Sequence, residues 1–301
     1  LPNAEFNELY EWFFTERRKI SKKDIRNYIY KIILNSTYGL SNDQNSFLYD
    51  PELTLKVTIN GQLTLMMLYE MISLDIPNSI PLMQNTDGVE NLIPRKDISK
   101  YEEICKQWEK ITNLELEHDT YSALYLADVN NYIAQYSSKE VTKDIYNEIK
   151  ASSPHYIFEE IDGKYYYSAT KCKGRFEFTD LALHKNKSFL IIPKAIYNYF
   201  IHNILPEDTL YKNNNIFDYC AGFKANSDWS LEKIFYKEGK MHTEKLQKVI
   251  RYYISNKGSK IIKKNNVDNR EVYIEADKRA AVTLFQNYIE MEWDKYDINL
   301  G

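Results

Sequence analysis

Twice the chain sets an Asp-Gly dipeptide between short apolar runs, at Asp87-Gly88 and Asp162-Gly163. Such pairs tolerate the backbone of a tight hairpin, so each predicts two antiparallel strands, over about 80–93 and 156–169. Around them, apolar residues return with a helical period. Phe6, Leu9, Tyr10, Phe13 and Phe14 predict a helix over 5–20, and Tyr101, Ile104, Cys105, Trp108 and Ile111 turn inward from one over 97–112. Ser21, with Asp24 three residues on, predicts the N-cap of a second helix over 22–37, antiparallel to the first. Leu63, Met66, Met67, Met71 and Leu74 predict an apolar helix over 58–74, buried beneath a sheet. Strands are expected at 123–128 and 131–136, and Ser137 to Pro154 reads as a polar surface crossing. Helices alternating with antiparallel strands define an α+β fold. Beyond about residue 177 the rhythm predicts helices at 188–203, 228–238 and 243–255 and a hairpin near 270–276, hence a mainly helical C-terminal domain.

At 301 residues the chain can bury one large core or two to three modules. Hydrophobic content of 44%, with 9 Gly and 8 Pro, argues for an ordered protein. Cys105, Cys172 and Cys220 form no metal-ligand pattern and fit a reducing, intracellular compartment, and the five His offer no zinc spacing. No apolar run reaches the ~18 residues that cross a bilayer and no signal peptide is visible, so no membrane partner is expected. The net charge of −4 lacks the basic excess usual in nucleic-acid binders. The bases are clustered, however, in Arg17-Arg18-Lys19, Lys22-Lys23, 171–175 and 257–264, and local patches are what meet phosphates. Any one such run is equally what a solvated face shows.

The run Lys31-Ile32-Ile33-Leu34-Asn35-Ser36-Thr37-Tyr38-Gly39 carries the most chemistry. As a helix it aligns Lys31, Asn35 and Tyr38 at i, i+4 and i+7, with Ile25, Ile29, Ile32 and Ile33 opposite as the expected core side. A cation, an amide and a phenol facing a cleft can meet a phosphate, a base edge and a sugar. An ordinary core aromatic is the lesser alternative for Tyr38. The hairpin Asn85-Thr86-Asp87-Gly88 lifts a carboxylate to its tip, a hard-oxygen ligand suited to Mg²⁺, though Asp-Gly alone is more often a plain turn.

These two motifs, in this order, resemble those of family B DNA polymerases. The family's helix pattern Lys-x-x-x-Asn-Ser-x-Tyr-Gly is matched at every fixed position of residues 31–39. Its hairpin pattern Asp-Thr-Asp-Ser is met by Asn85-Thr86-Asp87-Gly88, retaining the second aspartate and departing at the first and last positions. Lys171-Cys172-Lys173-Gly174-Arg175 is similar to the family's duplex-gripping segment. The likeness spans about residues 5–180. It implies helical fingers at 1–39, a palm (an antiparallel sheet with packed helices) at 40–176 and a thumb-like domain at 177–301. It also implies template-directed DNA synthesis from deoxynucleoside triphosphates on primer–template DNA, with two Mg²⁺ ions that Mn²⁺ can replace. Asp87 is then the expected metal ligand, with Glu90 nearby, and Lys31 meets the triphosphate and protonates the leaving pyrophosphate. Asn35 lies by the nascent pair, Tyr38 packs beside the sugar, and Gly39 permits close approach and helix exit. Arg17 and Lys19 are expected at the outer phosphates, and Lys171, Lys173, Gly174 and Arg175 at the duplex. Tyr132 falls near a Lys-x-Tyr-type primer contact whose lysine is absent. The family's earlier Asp-x-x-Ser-Leu-Tyr-Pro-like motif and its exonuclease acids are not present. The likeness therefore implies the C-terminal portion of such an enzyme, or a split subunit, phage-like in flavour and inactive alone without its N-terminal portion. A non-catalytic nucleic-acid-binding fragment or degenerate polymerase module is the alternative.

Overall fold

The computed structural model describes residues 4–152, 156–179, 188–256, 259–274 and 281–284. It divides into two compact units, Leu1–His118 and Asp119–Gly301. Helices alternate with antiparallel sheets in both, an α+β arrangement. The segment 1–39 and the first part of 40–176 lie in the first unit; the remainder lies in the second.

In the first unit, α1 (Ala4–Arg18) and α2 (Ile25–Ser41) run antiparallel, with Trp12 and Phe13 packed on Tyr30 at ring separations of 6.1 and 5.4 Å. The N-cap of α2 is Asp24, which accepts from the Arg26 N–H at 2.9 Å, rather than the expected Ser21. Ser21 instead accepts from the Lys23 N–H inside the turn. The buried stripe of α2 is Asn27, Leu34 and Ser41, at intervals of seven residues. The expected core side is exposed: Ile25 keeps 68% of its surface, and Ile29, Ile32 and Ile33 are exposed as well. Apolar periodicity misses this because polar contacts fix the inward stripe. Asn27 Nδ2 donates to the carbonyls of Arg17 (3.1 Å) and Ile20 (2.8 Å), and Ser41 pairs with Thr54 at 2.7 Å.

Helix α3 (Pro51–Asp75) starts at Asp50, which caps the Leu53 N–H at 3.0 Å, with Pro51 opening the first turn. Its Leu68 and Ile72 are 1% and 0% exposed and pack on Ile104, Cys105 and Trp108 of α4 (Ile98–Thr112). Each such side chain contributes roughly 1.5–3 kcal/mol by leaving water. The hairpin of β1 (Ile80–Gln84) and β2 (Val89–Leu92) docks on this core through Val89, with Ile93 just beyond it. Leu63, Met66, Leu74 and Ile111, expected inside, are exposed. Because α3 is apolar on every side, no face of it stands out in the sequence.

In the second unit, β7 (Lys164–Lys173) is the central strand of a five-stranded sheet. It pairs β4 (Asn131–Tyr136) along its C-terminal half and β5 (Lys139–Val141) and β6 (Tyr156–Ile161) along its N-terminal half, while β3 (Tyr121–Asp128) pairs β4. The β6–β7 turn is Asp162-Gly163, with φ of 51° and 75°, as the hairpin signal predicts. The stretch from Ser137 is not a plain surface crossing: it holds β5 and α5 (Lys143–Ser152), whose Tyr146 is buried against Phe158 and Tyr165. Helix α6 (Ile191–His202) lies within the predicted 188–203 and is followed by α7 (Pro206–Lys212).

The predicted helices 228–238 and 243–255 are strands instead, so this region is not mainly helical. Strand β9 (Trp229–Lys237) turns through Glu238-Gly239 (φ 52° and 75°) into β10 (Lys240–Leu246). With β12 (Lys260–Asn265) and β13 (Glu271–Tyr273) they make a four-stranded sheet in the order β10-β9-β12-β13. It packs on β8 (Ala221–Lys224) and β11 (Val249–Ser255), with β14 (Ala281–Leu284) beside β11, through Ala221, Leu231, Ile250, Tyr252 and Ile261. The Lys and Glu of 232–238 imitate a helix surface, whereas Trp229, Leu231 and Phe235 keep the two-residue period of a strand. The last described hairpin joins β12 to β13 and turns at 266–270, earlier than predicted; residues 275 and 276 lie outside the described residues.

Candidate functional site

Helix α2 presents Lys31, Asn35 and Tyr38 on one exposed stripe. Among the described residues, neither Lys31 nor Asn35 has a hydrogen-bond or ion-pair partner, so an ammonium and an amide are open to a ligand. Tyr38 is exposed rather than core, and its hydroxyl pairs with Thr58 of α3 at 3.0 Å. This bond points the phenol along the α2–α3 seam. Gly39 sits inside α2, which continues to Ser41, and a Cβ there would meet nothing within 4 Å. It is therefore not the helix exit; the smallness of residue 39 has no packing role in the chain itself.

At the hairpin, the Asn85 N–H donates to the Gly88 carbonyl at 2.8 Å, and Asn85 Oδ1 accepts from the Thr86 N–H at 2.7 Å and its hydroxyl at 3.2 Å. The amide oxygen thus braces the turn. Asp87 is exposed at the tip and has no ion-pair partner among the described residues. Glu90, opposite Met83 in β2, is half-buried and engaged. Among the described residues no group of three or more His, Cys, Asp and Glu is poised to hold a metal ion. Asp87 suits a cation that takes one or two protein carboxylates and fills its other positions from phosphates and water, as Mg²⁺ does.

Helix α3 links the two motifs. Its N-terminal half holds Tyr38 and Ser41, and its C-terminal half carries the core on which the hairpin docks. The 14 residue steps from Thr58 to Ile72 rise about 21 Å along the axis. No hydrogen bond or ion pair joins Lys31 to Asp87.

At the α1–α2 turn the expected phosphate ligands have protein partners. Arg17 Nε donates to Asn27 Oδ1 at 3.3 Å, and Lys19 pairs with Glu16 at 2.6 Å. Arg18 pairs with Glu115 and Lys22 with Glu117, beyond α4. Exposed pairs like these are worth about 0–1 kcal/mol, so an incoming polyanion can displace the carboxylates.

In the second unit, Lys171 and Lys173 share one face of β7, opposite Ala134 and Tyr132. Lys173 is exposed with no ion-pair partner among the described residues, while the Lys171 ammonium lies 6.0 Å from the buried Tyr132 ring. Burial opposes the Lys171 charge, but Tyr132 and Tyr136 outweigh it and hold its pKa above the ordinary value. Tyr132 therefore supports Lys171 rather than offering its ring to a partner. Gly174 has φ of 65°, and a Cβ there would meet the Asn130 carbonyl oxygen and Asn131 Oδ1 well inside 3.0 Å. The Arg175 N–H donates to Asn131 Oδ1 at 2.7 Å, and its guanidinium pairs with Asp128 at 3.2 Å. Asn131 Nδ2 donates to Asp128 at 2.7 Å, and this bond with the Asn130 N–H holds the Asp128 pKa below its ordinary value. Lys171, Lys173, Gly174 and Arg175 thus form one cationic ledge braced by Asp128 and Asn131. The sequence does not single out those two braces, since only the β4–β7 register brings them to Gly174.

Against known proteins, the chain matches no family model and no curated protein.

Proposed function

We propose that the chain is part of a template-directed DNA polymerase of the family B type, joining deoxynucleotides to a primer 3′ end. The observation that carries this reading is the ordered set: Lys31, Asn35 and Tyr38 open on α2, then Asp87 bare at a braced hairpin tip, then the Lys171–Arg175 ledge. Lys31 supplies a positioned cation to the triphosphate, where developing charge on the leaving oxygens is largest, and can donate the proton that pyrophosphate needs. Asn35 reads the edge of the nascent pair. Tyr38, fixed by Thr58, walls the sugar and excludes a 2′-hydroxyl. Asp87 is the residue that would hold Mg²⁺, with Glu90 close in sequence. When bound, such ions stabilise the entering and leaving oxygens of an in-line displacement. The ledge grips the duplex backbone, which positions without reading sequence. On this reading α1 and α2 are fingers, the hairpin and the β7 sheet belong to the palm, and the region after 177 serves as thumb.

Asn85 favours a second reading, a nucleic-acid-binding module without catalysis. The charge of an aspartate is missing there, and the amide oxygen that replaces it is spent in the turn. Primer extension with Mg²⁺ or Mn²⁺, beside Asp87→Asn, tests the first reading. Any synthesis should follow the template and vanish in the variant. Untemplated incorporation, or equal synthesis by both proteins, overturns it.

A further inference from the structure

A cavity of about 360 Å³ lies between α6 and α7, and its Phe178 and Tyr197 pack on the β7 side of the Lys171–Arg175 segment. Its size is that of a small-ligand pocket. Aromatic rings wall one side: Phe178 meets Tyr197 edge-on at 5.2 Å, and Tyr197 meets His202 at 5.5 Å. Polar groups share the lining. Asn198 Nδ2 donates to Thr209 Oγ1 at 3.1 Å, which leaves Asn198 Oδ1 to accept and the Thr209 hydroxyl proton to donate. Neither His202 nitrogen bonds another described residue. Burial holds the His202 pKa below its ordinary value, so at neutral pH the ring brings one donor and one acceptor.

The charges around the cavity cancel. Lys194 is held by Asp218 at 2.6 Å, a carboxylate only 2% exposed that Asn213 also bonds at 2.7 Å. Lys212 at the rim pairs with Asp208 at 3.0 Å. A bare anion would therefore find no net positive field. A wholly apolar ligand would leave Asn198 Oδ1, the Thr209 hydroxyl proton and the His202 nitrogens unanswered, which costs affinity. A flat heteroaromatic ring with a donor–acceptor edge suits both the accessible Phe178 and His202 rings and these polar groups, as unstacked bases do on aromatic side chains. Lys212, whose exposed pair is easily opened, would then meet an attached phosphate.

We infer that the α6–α7 cavity binds a nucleotide, its base against the Phe178 and His202 rings and hydrogen-bonded by the Asn198–Thr209 pair, and its phosphate at Lys212. The inference stands on the second unit alone and does not need the polymerase reading. The test is NMR of the full isotope-labelled chain, following the His202 imidazole during titration with dAMP, dTMP, inorganic phosphate and a single-stranded DNA octamer. Mononucleotides should give a saturable shift. Asn198→Leu should weaken it about tenfold, as loss of one hydrogen bond implies. Asn198→Ser, which conserves a polar group, should weaken it less and guards against misfolding. Lys212→Ala should weaken dAMP but not deoxyadenosine, titrated beside it. An octamer bound more than about tenfold more tightly than dTMP identifies the ligand as a base within a strand; equal affinity identifies a free nucleotide. No saturable response to any nucleotide, or a response to inorganic phosphate equal to that for dAMP, overturns the site. Loss of the response in Lys31→Ala or Asp87→Asn would also overturn it, by tracing the shift to α2 or the hairpin, and would leave the polymerase reading standing.

Discussion

Replacing Gly174 by Ala should disrupt the cationic ledge, and the size of the effect follows from two separable costs. Gly174 has φ of 65°, where an L-residue with a Cβ is disfavoured by roughly 1–2 kcal/mol. The new methyl would also collide with the Asn130 carbonyl oxygen, a backbone atom that no side-chain rotation can move. Relieving that overlap means shifting the β3–β4 turn, at a further ~1–3 kcal/mol typical of overpacking. The sum is about 2–5 kcal/mol, or roughly 4–20 °C in Tm for a unit of this size. Gly163→Ala is the internal control. Its φ of 75° incurs the same backbone cost, but nothing lies within 4 Å of its Cβ. Urea unfolding of the two variants, followed by circular dichroism, should therefore give a larger loss for Gly174→Ala. On the proposed reading DNA affinity should also fall, because Arg175 is oriented through Asn131, while Gly163→Ala should leave affinity unchanged. Equal destabilisation by the two substitutions would refute the close-approach argument.

Asn27→Ala removes the three side-chain bonds that clamp the α1–α2 turn and should cost about 1–3 kcal/mol in urea unfolding; a loss under ~0.5 kcal/mol would mean that the turn is held otherwise. The Arg26 side chain and N–H hold the Asp24 pKa at about 2, below its ordinary 3.8. A depressed folded value stabilises the cap above pH ~4 and loses that contribution as pH falls toward 2, so an NMR titration of the Asp24 carboxyl centred near 4 would contradict the cap. Burial pushes the Cys172 and Cys220 thiols up to about 12 and raises Cys105 as well. All three should resist maleimide in the native chain at pH 8 and react on unfolding, whereas fast native labelling of Cys172 would put the β7 packing in error.

Local turn chemistry made part of the fold legible, whereas the cap signal at Ser21 did not hold because Asp24 caps α2. Asp162-Gly163 placed the β6–β7 hairpin, and the strands around 123–136 followed from their β-rich composition. Misreadings arose where composition and environment disagree. Ile25, Ile29, Ile32 and Ile33 look like a core face, yet Asn27 and Ser41 turn inward because their hydrogen-bond partners lie on α1 and α3. Glu238-Gly239 turns a hairpin as Asp162-Gly163 does, but the surrounding lysines and glutamates mask the strand alternation. In the candidate site, Lys31, Asn35 and Tyr38 share a stripe because helical spacing demands it. The bracing partners Thr58, Asp128 and Asn131 come from other elements, and no local pattern could select them.

The central claim is that Lys31 and Asp87 serve a nucleotide chosen by a template. The most direct measurement is the dissociation rate of a labelled primer–template from the chain with each of the four deoxynucleoside triphosphates and Mg²⁺. The nucleotide complementary to the templating base should slow dissociation, the other three should not, and both Lys31→Ala and Asp87→Asn should abolish the difference. Equal rates with all four nucleotides, or a complementary effect that survives both substitutions, would contradict the account.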